Sequence, residues 1–246
     1  MSLCYLNHDQ FLYGEGLFET FPLHDGDLPF FKDHWERLFK SCKILNYPFA
    51  FDGQEVKETL IQSAQQSKKQ ETIVRLTYQI SSQNPTLFYQ LVPARISPPS
   101  WSLLPKAIVP IPNAAHKTTN RHLYKSILEE AESQGFSDAL LVTPEGEILE
   151  TTRANVFVVL RGELHTPKLN GKLLPGVMRN QAIKQAQRLG VSVVEKELRI
   201  KDLTDAEEVF VTNSVIGILS VIEIEGVWKG EENSGLLSNK FELNGL

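Results

Sequence analysis

The chain has 246 residues, with 25 Lys plus Arg against 30 Asp plus Glu for a net charge of −5, and with 41% hydrophobic and 22% charged residues. That balance suits a globular protein able to bury one large core or two smaller ones, and it excludes disordered, collagen-like and disulfide-scaffold chains. The acidic surplus offers no footprint for nucleic acid or an anionic membrane, no stretch approaches the ~18–20 apolar residues of a membrane span, and the start of the chain lacks a signal peptide's basic and apolar regions, so a cytoplasmic protein is expected.

Cys4 and Cys42 stand in no metal-binding or redox spacing, and reduced thiols are expected. His8, His24, His34, His116, His122 and His165 are scattered without metal-ligand spacing, so no metal site is expected.

The first helix is expected to start near Asp33, which can cap it with Glu36 three residues on. Trp35, Leu38, Phe39, Cys42 and Leu45 then follow helical spacing. A second helix is expected over 54–68, a strand over 72–80 and another over 87–95. Five prolines between Ser97 and Pro112 mark an interdomain connection, with at most a short strand at 107–109. The boundary is placed near 112, giving domains 1–112 and 113–246.

The second half alternates. A helix over 120–134 ends at Gly135, a strand over 139–143 turns at Pro144-Glu145-Gly146-Glu147, and a strand over 148–151 returns. Strands follow at 156–160, 191–195 and 209–212, with a short helix at 203–207. Pro175-Gly176 opens a helix to about 189. Strands and helices mixed in both halves give an α+β class.

Three features carry possible chemistry. The helix opened by Pro175-Gly176 presents unpaired backbone N–H groups, which can seat a phosphate. Lys117 follows the proline-rich connection; it is either a solvated surface lysine or, if desolvated, an amine able to bond a carbonyl. Glu150 ends an apolar strand; it is either an exposed hairpin residue or a carboxylate able to hold a pyridinium nitrogen protonated.

Taken in order, GEGLFET (14–20), HWERL (34–38), HKTTNR (116–121), LETTRANVF (149–157), LLPGVMR (173–179) and VFVTNS (209–214) resemble the class IV, or fold type IV, pyridoxal-phosphate enzymes over about residues 11 to 225. That family includes branched-chain and D-amino acid aminotransferases and aminodeoxychorismate lyases. The resemblance implies a two-domain α+β fold like that of D-amino acid aminotransferase, with its active site at the domain interface, pyridoxal 5'-phosphate as cofactor and a homodimer as the working unit. It implies that Lys117 bonds to the cofactor and later shuttles the proton, that Glu150 faces the pyridine nitrogen, and that Arg37 contacts the phosphate. The backbone amides of Val177 and Met178 and the hydroxyl of Ser214 match further phosphate contacts, and Asn155 matches a family asparagine near the cofactor.

Within the family, Met178 stands where aminotransferases usually carry threonine, and PGVMR, KTTNR and the TNSxxG pattern at 212–217 resemble the lyases. Glu15 replaces the usual aspartate, and Leu219-Ser220-Val221 departs from the usual ending. The expected activity is conversion of 4-amino-4-deoxychorismate to 4-aminobenzoate and pyruvate, with an aminotransferase of branched-chain or D-amino acids as the alternative and a non-catalytic binding relative as a third reading. Arg75, Arg95 and Arg121 are candidates for a substrate carboxylate on charge alone. Leu12, Leu17, Phe18, Phe21, Phe30 and Phe31 belong either to a dimer interface or to a core.

Overall fold

The structure, a computed structural model, describes residues 16–24, 26–66, 72–80, 85–93, 97–230 and 237–241. The expectations about Cys4, Leu12, Gly14, Glu15 and Arg95 lie outside the described residues. The chain divides into two compact units. The first draws on residues up to 95 together with His116–Arg121; the second draws on 96–115 and 122–244. The division therefore falls earlier than the expected boundary near 112, and the segment carrying Lys117 returns to the first unit.

The first unit is built on a three-stranded antiparallel sheet of β1 (Gly16–Pro22), β2 (Thr72–Gln79) and β3 (Thr86–Pro93), with β2 in the middle. Helices α1 (Phe31–Ile44) and α2 (Gly53–Gln66) pack on it. Leu17, Phe21, Leu38, Leu60, Val74, Leu76 and Tyr78 form its core and are all but inaccessible to solvent. Leu17 and Phe21 are thus core residues, because alternate β1 side chains turn inward, and Phe31 joins them from the start of α1.

Helix α1 begins two residues before Asp33, which therefore lies in its first turn rather than at its cap. The reason is Phe31. Its ring stacks between Phe21 at 5.4 Å and Trp35 at 5.7 Å, so burial pulls the helix start back, and Phe30 turns the chain with a left-handed φ of 57°.

The second unit holds a nine-stranded mixed sheet. Its strands are β4 (Trp101–Ala107), β5 (Asp138–Val142), β6 (Ile148–Thr151), β7 (Asn155–Leu160), β8 (Glu163–Pro167), β9 (Val193–Lys196), β10 (Glu208–Asn213), β11 (Gly217–Ile224) and β12 (Trp228–Lys229). The spatial order is β6-β5-β4-β11-β10-β7-β8-β9, with β12 beside β11. Helices α3 (His122–Ser133) and α4 (Val177–Arg188) cover it, and a 3-10 turn at Ile200–Asp205 replaces the short helix expected at 203–207. Strands β5 and β6 are buried along their whole length; β5 is apolar after Asp138, while β6 buries Glu150 and Thr151 beside Ile148 and Leu149.

Strand β4 corrects the reading of residues 97–112 as a connection. It is an interior strand, parallel to both β11 and β5, with Pro105 inside it. The proline is tolerated because β11 pairs only as far as Leu103, while β5 pairs from Leu103 onward. At Pro105 the strand has a neighbour on one side only, so its missing N–H can face the unpaired side.

Candidate active site

In the first unit the site residues come from β1, α1 and the segment His116–Arg121. That segment lies along β1: Phe18 N donates to Lys117 O at 2.9 Å and Thr119 N donates to Gly16 O at 2.8 Å. A side chain at position 16 would crowd Thr119, whose Oγ1 lies 3.0 Å from where its Cβ would be, so glycine allows this close pairing. The ammonium of Lys117 lies 4.6 Å from the centre of the Phe18 ring, within cation–π range. His116 Nδ1 lies 2.9 Å from Ser41 Oγ of α1, which ties the segment to the helix.

Arg37 is almost buried and is gripped by Glu19. Its Nε donates to Glu19 Oε1 at 2.8 Å and its Nη2 donates to Oε2 at 2.5 Å. His34 Nδ1 lies 2.7 Å from the same Oε2. Burial alone would raise the Glu19 carboxyl, but Arg37 and His34 overcome it and hold it down to about 2. Burial lowers His34, and the charges of Arg37 and Lys117 act the same way, against the pull of Glu19. A neutral His34 with its proton on Nδ1 donates to the carboxylate. Burial pushes the Cys42 thiol up to about 12, which makes it unreactive.

In the second unit Glu150, Asn155, Val177 and Met178 come together around one loop, and all four are buried. Leu174 N donates to Glu150 Oε2 at 3.2 Å. Asn155 Nδ2 donates to Leu174 O at 2.9 Å and reaches Glu150 Oε2 at 3.4 Å. These bonds clamp the chain just before α4. Gly176 is the N-cap of that helix, and no side chain caps it. The first backbone bond of the helix runs from Asn180 N to Gly176 O, so the amides of Val177 and Met178 precede it. Their side chains anchor the first turn in the interior, and Ala182 and Ala186 pack the rest of α4 onto the stacked Phe157 and Phe210 rings.

The Glu150–Asn155 loop is held from beneath by Asp138, which is fully buried. Its carboxylate accepts from Ala139 N, Thr151 Oγ1, Thr152 N and Oγ1, and Arg153 Nε at 2.5–3.2 Å. Ser214 follows β10 in a turn fixed by Asn213, whose Oδ1 accepts from the amides of Val215 and Ile216 and whose Nδ2 donates to Arg153 O. Glu19, His34, Asp138 and Asn213 were not singled out from sequence. For Glu19 and His34 the signal was present, since both sit inside quoted motifs; for Asp138 nothing local distinguishes it from a surface acid at a strand start. Among the arginines proposed for a substrate carboxylate, Arg75 is exposed on β2.

The expected site residues thus form two groups, Arg37 with Lys117 in the first unit, and Glu150, Asn155, Val177, Met178 and Ser214 in the second. Their chemistry fits pyridoxal phosphate. A guanidinium and uncapped helix amides suit a phosphate dianion, a buried carboxylate suits a protonated ring nitrogen, and an amine suits the carbonyl.

These features fall within a known family: the sequence profile of amino-transferase class IV matches residues 16–224, and the chain belongs to that family. It is a fold type IV enzyme, and the family works with pyridoxal phosphate. A Methanocaldococcus jannaschii protein provisionally described as a branched-chain-amino-acid aminotransferase is 28% identical, over 94% of this chain and 86% of its own. The branched-chain-amino-acid aminotransferase of Escherichia coli K12 is 25% identical, over 94% and 82%. A crystal structure from Legionella pneumophila, provisionally described as a 4-amino-4-deoxychorismate lyase, superposes with a TM-score of 0.89 at 28% identity, covering 98% of this chain and 94% of the other.

Proposed function

We propose that this class IV enzyme is a lyase that converts 4-amino-4-deoxychorismate to 4-aminobenzoate and pyruvate. The observation that carries the reading is Met178. At the first turn of α4 its side chain is 1% exposed and packs inward, so this position supplies the phosphate with a backbone amide and no hydroxyl. Aminotransferases of the family usually carry threonine here. The Legionella structure supports the same direction.

In this reading Lys117, Glu150 and Arg37 perform the family's work. Arg37, the amides of Val177 and Met178, and Ser214 hold the phosphate; Glu150 holds a proton at the ring nitrogen, and Asn155 braces Glu150. The cofactor, when bound, supplies a sink for the electron pair left at the substrate carbon. Lys117 Nζ removes the proton from the ring carbon that bears the substrate's amine. The C–O bond at the neighbouring carbon then breaks, the side chain leaves as enolpyruvate and takes up a proton to become pyruvate, and the ring becomes aromatic. Aromatisation drives the step, so no keto-acid acceptor is required. The enzyme works as a cytoplasmic homodimer; light scattering on the purified protein tests the dimer.

The second reading is an aminotransferase, favoured by the branched-chain enzymes of Methanocaldococcus and Escherichia coli. Product analysis decides. Incubation with 4-amino-4-deoxychorismate should release 4-aminobenzoate and pyruvate in equal amounts with no added acceptor. Absence of both, together with full conversion of the cofactor to its amine form by L-leucine or D-alanine, would overturn the lyase reading.

A further inference from the structure

We propose that Glu19 is a positioning residue for the cofactor's phosphate: it fixes the Arg37 guanidinium in a single orientation before the cofactor arrives. This deepens the reading that Arg37 contacts the phosphate and rests on it.

The geometry is that of a fork held by its edge. Glu19 is 1% exposed, and each of its oxygens takes one Arg37 nitrogen, Nε at 2.8 Å and Nη2 at 2.5 Å. Two parallel bonds fix the plane of a guanidinium as well as its position, and they turn the Nη1 end away from Glu19. His34 closes the third side. It is wholly buried, its Nδ1 meets Glu19 Oε2 at 2.7 Å, and its ring packs edge-on against Phe21 at 4.8 Å. The carboxylate therefore cannot follow the arginine if the arginine swings.

The arrangement is costly unless it is used. Glu19 pairs with Leu76 across the sheet and His34 packs on Phe21, both buried where apolar residues would fit without desolvating two polar groups and a partly buried cation. A staple between β1 and α1 needs none of these charges. A guanidinium that must grip a dianion does need them, because an unrestrained arginine loses rotamer freedom on binding, whereas Arg37 has lost it on folding.

The test compares two ligands on the purified, unloaded protein: pyridoxal phosphate and pyridoxal, which has the same ring and carbonyl but no phosphate. Tryptophan fluorescence quenching gives both dissociation constants, and their ratio cancels what the ring contributes. Arg37→Ala should shrink the ratio by about tenfold or more, the worth of a charge-assisted hydrogen bond. Glu19→Gln should shrink it by a similar factor while leaving pyridoxal affinity unchanged, and the double variant should shrink it no further than Arg37→Ala alone. If Arg37→Ala leaves the ratio intact, the phosphate role of Arg37 fails and the proposal falls with it. If Arg37→Ala shrinks the ratio but Glu19→Gln does not, or weakens both ligands equally, or multiplies with Arg37→Ala, the proposal alone is overturned. Glu19→Asp draws the carboxylate back by one methylene and keeps its charge; it should give an intermediate ratio, and it carries the same comparison if Glu19→Gln does not fold.

Discussion

A methyl group on Gly176 would sit 1.9 Å from Oδ1 of Asn155. The glycine's backbone, at φ −66° and ψ 139°, is open to any residue, so the requirement is for space and not for conformation. Asn155 cannot yield cheaply, since its amide bridges Glu150 and Leu174 O.

Gly176→Ala should therefore destabilise the protein by roughly 1–3 kcal/mol, the usual cost of forcing atoms into a packed site. It should also weaken pyridoxal phosphate binding, because displacing Asn155 loosens the entry to α4. Urea denaturation and cofactor titration check the two effects. Adding Asn155→Ala should restore part of the stability, giving a double variant that costs less than the sum of the singles.

Lys117→Ala should abolish the visible absorbance band of the loaded enzyme and lower turnover by ~10²–10⁴-fold or more, the range for loss of a positioned acid–base group. Glu150→Gln should keep the cofactor but lower kcat by a comparable factor. Absorbance spectra and steady-state kinetics on the same preparations separate the two.

The Glu19 carboxyl titrates at about 2 in the fold against an ordinary 4.5. A depressed carboxyl stabilises the fold fully above the unfolded value, and that contribution is lost as the pH falls from about 4.5 toward 2. At ~1.4 kcal/mol per pKa unit the full contribution is on the order of 3 kcal/mol. Stability measured against pH should fall over this window in the parent protein and fall less in Glu19→Gln.

Asp138→Ala should cost on the order of 3 kcal/mol, because it leaves the hydroxyls of Thr151 and Thr152 and the Thr152 amide without their acceptor in the interior. Arg153 is partly exposed and can turn to water, which limits the loss. Asp138→Asn keeps one accepting oxygen and should cost less. Chemical denaturation gives both values, and cofactor affinity should fall in the same order if the loop from Glu150 to Asn155 depends on this anchor.

Periodicity made α2, β2, β5, β6 and α4 readable to within about two residues, because each has either an apolar stripe or flanking turn residues. Strand β4 was not readable, because Pro105 argues against an interior strand and only the staggered partners β11 and β5 make it acceptable. Strand β11 was not recognised either: Ser220 and Glu223 interrupt its apolar run, and its five pairings with β10 become evident only when the ladder is formed. The position of Arg37 came from a motif, but the carboxylate that grips it lies 18 residues earlier on a different element, and no local pattern links them. Asp138 reads like any acid before a strand until Thr151, Thr152 and Arg153 fold back onto it.

The strip from His116 to Arg121 belongs with a sheet whose strands ended more than twenty residues earlier. The N-terminal unit is therefore unfinished when residue 95 leaves the ribosome, and it is completed only after part of the second unit's chain, with β4, has been made. A gene cut at 112 would yield a fragment whose β1 lacks the backbone partner that Thr118 and its neighbours provide, so that fragment should be less stable alone than after mixing with the complementary half, which brings the strip in trans.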